Sequence, residues 1–195
     1  MNYQNKKNLK LNLGSGNNPK DGFINIDNNP KARADLIMDL NKLPWLLADN
    51  SVAEIWTEHL LEHLEPDPFQ VLAEMYRVCQ SGAKIIIQVP HLSYAWAHPL
   101  HRHAFGVMLF RFLSPQEEYE KYLDLNFKVE KIILRWIGHP PKLKFDLKLP
   151  FRIIIILINA LISGLANLAP YFCERIWCYW VGGFDEIEYQ ITVDK

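Results

Sequence analysis

Residues 9–27 read LKLNLGSGNNPKDGFINID, and the fold is decided there. The apolar alternation from Leu9 to Leu13 has the period of a strand and runs straight into Gly14-Ser15-Gly16. Glycines at the end of a strand let the backbone turn tightly and approach a ligand with no Cβ in the way. A second strand follows at Phe23 to Asp27, and only NNPKDG, which is turn chemistry, separates it from the glycines. The dinucleotide fingerprint G-x-G-x-x-G would need a third glycine where Pro19 stands. It would also need an acid about 20 residues beyond the motif, whereas Asp27 comes 11 residues after Gly16. No full helix fits in that interval, so a pyrophosphate would lack the helix N-terminus that normally holds it. A nucleoside ligand without phosphates has no such requirement. Asp27 places a short carboxylate at a strand end, where it can accept from both hydroxyls of a ribose.

Outward from this stretch, short apolar runs alternate with helical patterns, the rhythm of a parallel sheet with crossovers. Further strands are expected at Asp35 to Met38, Ala53 to Thr57, Lys84 to Pro90 and Phe127 to Leu134. The run KIIIQVP is continuously apolar and β-branched, as in a strand buried on both faces. Pro66 and Pro68 open a helix carrying Phe69, Leu72, Ala73, Met75, Tyr76 and Val78, which Ser81-Gly82 closes. A second helix starts at Ser114, with Pro115, Glu117 and Glu118 in its first turn. In the final strand, Glu186 to Val193, Ile187, Tyr189, Ile191 and Val193 alternate with polar residues, the pattern of an edge or half-exposed antiparallel strand.

The ordered segments LNLGSG, FINID, ADLIMDL, DNSVAEIWTEHLLEHL and RVCQSGAKIIIQVPH resemble a class I S-adenosylmethionine-dependent methyltransferase over residues 9 to 134. The resemblance implies an α/β, Rossmann-like three-layer sandwich. Its sheet is seven-stranded and mostly parallel, with the antiparallel last strand inserted between the fifth and sixth. Residues 1–195 then form a single domain, with 140–185 as a helical and aromatic cap before the last strand. The implied cofactor is S-adenosylmethionine. Gly14 and Gly16 resemble the glycines beside its methionine moiety, and Asp27 the ribose-binding acid. Asp39 with Leu40 stands where the family binds adenine, and Glu58 and His59 line the space near the transferable methyl. The family's first motif often has an acid and a third glycine where Asn12 and Asn18 stand here.

The acceptor base is open among the histidines. His59 follows the fourth strand, and His91, His101 and His103 fall in HLSYAWAHPLHRHAF, just past the fifth, where ligands of open α/β sheets bind. A hydroxyl nucleophile benefits from a base with a pKa near 7, which histidine supplies. A rival reading comes from His59-Leu60-Leu61-Glu62-His63, which matches the H-x-x-E-H pattern of zinc peptidases. It requires a helix and a third ligand from His91, His98, His101 or His103. The methyltransferase reading carries no resident metal. A non-catalytic protein using the same fold for binding is the other alternative.

With 49% hydrophobic and 22% charged residues in 195, the composition is that of a folded globular chain. A net charge of -1 removes the main drive for nucleic-acid binding. Cys79, Cys173 and Cys178 form neither a disulfide framework nor a C-x-x-C site. Met1 to Lys10 has no apolar h-region behind it, so a cytoplasmic protein with reduced thiols is expected. One segment stands apart: Ile153 to Ala169 carries no charge, and its polar residues Asn159, Ser163 and Asn167 recur every four positions. It is either a buried or oligomer-forming helix, a homodimer contact among the possibilities, or an interfacial helix at a membrane or a substrate lid. Lys142, Lys144, Lys148 and Arg152 precede it, and Tyr171, Phe172, Trp177, Tyr179 and Trp180 follow it. The acceptor is correspondingly a small molecule, a glycan or a lipid-linked compound.

Overall fold

In strand β1 (Leu9–Leu13), Leu11 and Leu13 are completely buried and Asn12 nearly so, because both faces and both edges are covered. The computed structural model describes residues 6–113, 125–138, 149–180 and 182–195. The helix expected at Ser114 and the basic residues Lys142, Lys144 and Lys148 lie outside the described residues. β1 pairs in parallel with β2 (Ile24–Asp27) on one side and β4 (Val52–Glu58) on the other. The short β3 (Leu36–Ile37) adds in parallel outside β2, and β5 (Cys79–Pro90) outside β4. β7 (Glu186–Val193) runs antiparallel between β5 and β6 (Phe127–Arg135), giving the order β3-β2-β1-β4-β5-β7-β6. This is the Rossmann-like seven-stranded sheet that the resemblance implied.

Helix α1 (Pro68–Val78) crosses from β4 to β5. Proline takes its first position and the Asp67 side chain accepts from the Phe69 N–H at 2.8 Å, satisfying one donor of the first turn. Val71, Leu72, Met75 and Val78 bury its inner face against the sheet. Ser81-Gly82 does not close this helix. The chain enters β5 directly at Cys79, and Gly82, with φ +77°, sits in β5 where its register against β4 shifts. A bulge calls for the same backbone freedom as a helix end, which is why the sequence signal pointed to either.

β7 is not an edge strand. Its polar residues Glu186 and Glu188 are buried, because Arg135 of β6 and Gln88 of β5 meet them from the neighbouring strands. Gln88 donates to Glu186 at 2.9 Å and Arg135 to Glu188 at 2.6 Å. An alternation of polar and apolar residues reports two different faces, and here the second face is a buried ionic layer rather than solvent.

A short helix α2 (Leu92–Ala95) follows β5, and the apolar segment forms helix α3 (Leu149–Ala166). It is not a core helix: Leu157, Leu161 and Leu165 are 64%, 62% and 53% exposed, and among its residues only Ala166 is buried. Its polar stripe faces inward instead. The Asn167 carboxamide accepts from the Leu134 N–H at 2.7 Å and donates to the Leu134 carbonyl at 2.8 Å. Trp136 N–H donates to Ser163 Oγ at 3.1 Å and Ile137 N–H to Asn159 Oδ1 at 2.9 Å. Among the described residues, outer strand β6 has no strand partner on that side, so polar side chains spaced by one helical turn stand in for one. The helix is therefore inverted, with its polar side on the protein and its apolar side outward.

Candidate active site

The glycine turn after β1 is held shut by β2. The N–H groups of Gly14 and Ser15 both donate to the Ile26 carbonyl, at 2.9 and 3.0 Å, and Gly16 N–H donates to Asp27 Oδ2 at 2.8 Å. Amides engaged in this way offer no cradle to a phosphate, which agrees with the argument against a phosphate-bearing ligand. Gly14 has φ +69°, and a Cβ built on it would meet the Leu60 side chain at 2.9 Å, so both the turn and the approach of the segment after β4 require glycine. Asp27 Oδ1 accepts from the Asn29 N–H at 2.8 Å. Each carboxylate oxygen has one lone pair in use and a second available to a hydroxyl.

Below the turn lies a cleft of about 320 Å³, lined among others by Gly14, Ser15, Trp56, Glu58 and His59. No helix separates β1 from β2 among the described residues, so this part of the sheet face is covered only by the loop, with Lys20 Nζ 3.6 Å above the Trp56 ring. Ser15 Oγ is buried at the cleft with no hydrogen-bond partner among the described residues. Asn12, on the wall of the same cleft, is braced by the neighbouring strand. Its amide donates to Asn25 Oδ1 at 2.9 Å, and Asn25 in turn donates to Asp35 from its N–H and its Nδ2. Those two bonds hold the Asp35 carboxyl below its usual range. This brace between β1, β2 and the start of β3 was not visible in the sequence, because an Asn-Asn-Asp set across three strands has no fixed spacing.

Asp39 and Leu40 follow β3. The Asp39 carboxylate accepts from the N–H and Nδ2 of Asn41, at 3.1 and 3.0 Å, which lowers its pKa. Asn41 Oδ1 accepts from the Glu65 N–H at 2.8 Å, tying this loop to the one after β4. The glycine turn, Asp27, the Asp39–Leu40 loop and Glu58–His59 all stand at the carboxyl edge of the parallel strands β1 to β4.

The four candidate bases are separated by the fold. His59, with φ +52°, aims its ring between two buried carboxylates, Nε2 lying 3.1 Å from Glu186 and Nδ1 3.4 Å from Glu62. The hydrogen bond to Glu186, with the Glu62 carboxylate beside Nδ1 adding to it, pushes its pKa up to about 10, so at neutral pH it is an imidazolium and cannot accept a proton. His91 is fully buried beneath the end of β5. Its Nδ1 accepts from the Ser93 N–H at 3.2 Å, so the proton is on Nε2, which donates to Glu174 at 3.0 Å. Both nitrogens are thus occupied and His91 serves as a strut, not a base. His101 packs against His63 and His98, and His103 donates from Nε2 to the Leu64 carbonyl at 3.0 Å on the wall of a second cavity.

The zinc-peptidase pattern fails on geometry. Leu61–His63 is a single 3-10 turn and His59 is left-handed, so the i and i+4 imidazoles of an α-helix do not arise.

A methyltransferase-domain family model matches residues 15–87. No curated protein matches the sequence. Among solved structures, an S-adenosylmethionine-dependent methyltransferase from Archaeoglobus fulgidus is similar over 98% of this chain and 88% of its own, at 17% identity and TM-score 0.57. One from Mesorhizobium loti is similar over 95% and 91%, at 12% identity and TM-score 0.52. The [4+2]-cyclase SpnF shares the fold over 97% and 76%, at 13% identity and TM-score 0.54, so at such distances the likeness speaks for the fold. The methyltransferase-domain model covers the glycine turn through β5, and the seven-stranded order with its inserted antiparallel strand is the fold of the S-adenosylmethionine-dependent methyltransferases to which the chain is similar.

Proposed function

We propose that the protein transfers the sulfonium methyl of S-adenosylmethionine to an acceptor presented at a lipid surface, a lipid-linked compound rather than a freely soluble one. The observation that carries this reading is the inverted helix α3. Over 18 residues, about 27 Å, it turns an apolar face outward with no acidic residue. Exposed Arg152 lies at its start, and exposed Tyr171, Phe172, Tyr179 and Trp180 follow it. A face of that size is unusual on a soluble monomer and has the composition of a membrane-interface segment. A second observation supports the same acceptor class. A cavity of about 610 Å³ opens between the start of α1, the segment 92–109 and the cap, and much of its wall is apolar, from Phe69, Leu92, Trp96, Phe105 and Met108. Glu174, which follows α3 in the chain, bonds to His91 at the end of β5 and so ties the cap to the edge where the cofactor would sit.

In this reading the Gly14–Gly16 turn and Ser15 hold the methionine end of the cofactor, Asp27 its ribose and the Asp39–Leu40 loop its adenine. Glu58 and His59 form the wall near the methyl. Transfer is an in-line displacement: an acceptor lone pair forms the new bond to the methyl carbon as the carbon–sulfur bond breaks, leaving a neutral thioether. An acceptor hydroxyl or amine also releases a proton, which His59, already cationic, does not take up.

Calorimetric titration with S-adenosylmethionine tests the cofactor half. Asp27→Ala should weaken binding by about 1.5–3 kcal/mol, the loss of hydrogen bonds to a charged acceptor, and unchanged affinity would remove Asp27 from the site. Co-sedimentation with anionic vesicles tests the other half. Binding at low salt that falls at high salt is expected, and wild-type protein left in the supernatant at low salt would overturn the lipid-surface acceptor while leaving the cofactor result standing. Concentration-dependent self-association without vesicle binding would assign the apolar face to a homodimer instead.

A further inference from the structure

We propose that Glu62, His63 and His101 form a binding site for one divalent transition-metal ion of the zinc class, distinct from the failed H-x-x-E-H arrangement and against the expectation from sequence that no metal is held. One ligand atom from each of the three lies within 4.8 Å of the others. The set is a carboxylate and two imidazoles, the donor chemistry of catalytic zinc sites that keep a position open.

The tautomers point to metal ligation. His63 Nδ1 lies 3.3 Å from the Leu100 carbonyl, and His101 Nδ1 lies 2.6 Å from the Ala95 carbonyl. A carbonyl only accepts, so each Nδ1 carries its proton and each Nε2 is left with a lone pair. That is the form in which imidazole binds a metal, with the second nitrogen oriented by a backbone carbonyl. His63 Nε2 is 4.0 Å from Glu62 Oε1. His98, although it stacks on His101 with ring centroids 4.6 Å apart, is set the opposite way. Its Nδ1 accepts from the Leu100 N–H at 3.3 Å, so its proton is on Nε2. It is a wall of the site rather than a ligand.

Glu62 supplies the independent observation. Its side chain is 1% exposed, and neither carboxylate oxygen meets a hydrogen-bond donor among the described residues. Its nearest charged neighbour, His59, stands 3.4 Å from Oε1. A buried carboxylate normally takes several hydrogen-bond donors; Glu62 has the His59 cation beside Oε1 and no hydrogen bond among the described residues, so its oxygens keep lone pairs for a further cation. The backbone holds the site together, because the Glu62 carbonyl accepts from the Arg102 N–H at 2.7 Å and so pins the His101 loop beside it. Metal bonds of about 2.0–2.1 Å put tetrahedral neighbours about 3.3 Å apart, so ligand atoms that lie within 4.8 Å of one another must close by up to about 1.5 Å. The partly exposed rings of His63 and His101 are free to make that movement. Three protein ligands leave a position for water or for an acceptor oxygen.

The test uses the untagged full chain, stripped with chelator and dialysed. Zn²⁺ is titrated by calorimetry, and Co²⁺ is read by its visible d–d absorption. One ion per chain is expected, with tetrahedral-type Co²⁺ bands. Affinity should fall by on the order of 100-fold or more in His63→Ala and His101→Ala, since even outer partners of a ligand contribute 10- to 100-fold, and should change little in His98→Ala. His101 is on a loop, so its variant reports on the metal even if Glu62→Gln disturbs folding. No saturable binding at one ion per chain, full affinity in both histidine variants, or an equal loss in His98→Ala would each overturn the proposal. S-adenosylmethionine affinity measured on the same samples keeps the two readings apart, because either ligand can fail to bind without the other.

Discussion

Replacing Asn167 by leucine should destabilise the fold, whereas replacing Leu161 by aspartate on the same helical segment should not. Asn167, one residue beyond α3, anchors the end of the helix to β6. Its carboxamide satisfies both the N–H and the carbonyl of Leu134, at 2.7 and 2.8 Å, as the backbone of a neighbouring strand would. Leu134 is completely buried, so water cannot readily take over those bonds. Each buried polar group left unpaired costs roughly 1–3 kcal/mol, so Asn167→Leu should lose about 2–4 kcal/mol. With a urea slope near 2 kcal/mol/M, the unfolding midpoint should fall by about 1–2 M. Leu161 is 62% exposed on the opposite side, and Leu161→Asp should shift stability by no more than about 0.5 kcal/mol. It should instead lower vesicle partitioning at least tenfold, since a leucine side chain contributes about 1.5–3 kcal/mol when it leaves water. Urea unfolding and vesicle co-sedimentation on both variants separate the two faces. If Asn167→Leu stays within 0.5 kcal/mol of wild type, or if Leu161→Asp unfolds the protein, α3 packs by its apolar side and the inverted arrangement is wrong.

Gly14→Ala should cost about 1–2 kcal/mol for the left-handed backbone, more as Leu60 is displaced. The double variant with Leu60→Ala should relieve the second part and not the first in thermal unfolding and cofactor titration. His91→Asn should lower stability by about 1–3 kcal/mol through the buried Glu174 contact, while the pH profile of methyl transfer keeps its wild-type shape. A base would instead lose one limb of that profile. Asp35, its pKa lowered chiefly by the Asn25 backbone N–H, contributes stability that is present above its unfolded value near 3.8 and is lost as pH falls through the lower folded value. Acid unfolding of Asp35→Ala should accordingly be less steep below pH 4.

The sheet was legible because its signals are local. Period-2 apolar runs, the Gly14-Ser15-Gly16 turn and the interval to Asp27 each act within a few residues, and β1 and β7 have the bounds that the pattern suggested. What the tertiary structure decided is the environment of groups whose partners are far away in the chain. His59 is an imidazolium because β7 brings Glu186 to it across 127 residues, and His91 is a strut because Glu174 reaches it across 83. The stripe of Asn159, Ser163 and Asn167 is plain in the sequence, and a stripe of that kind normally faces water. Only the open edge of β6, with N–H groups that need acceptors, turns it inward and leaves the apolar side outward. The same holds for the metal-ligand set, in which Glu62 and His63 are neighbours but His101 joins them through a backbone bond to its loop. Sequence periodicity determines which residues share a face. Charge state, burial and ligation depend on what the opposing element presents, and that is known only once the chain has closed on itself.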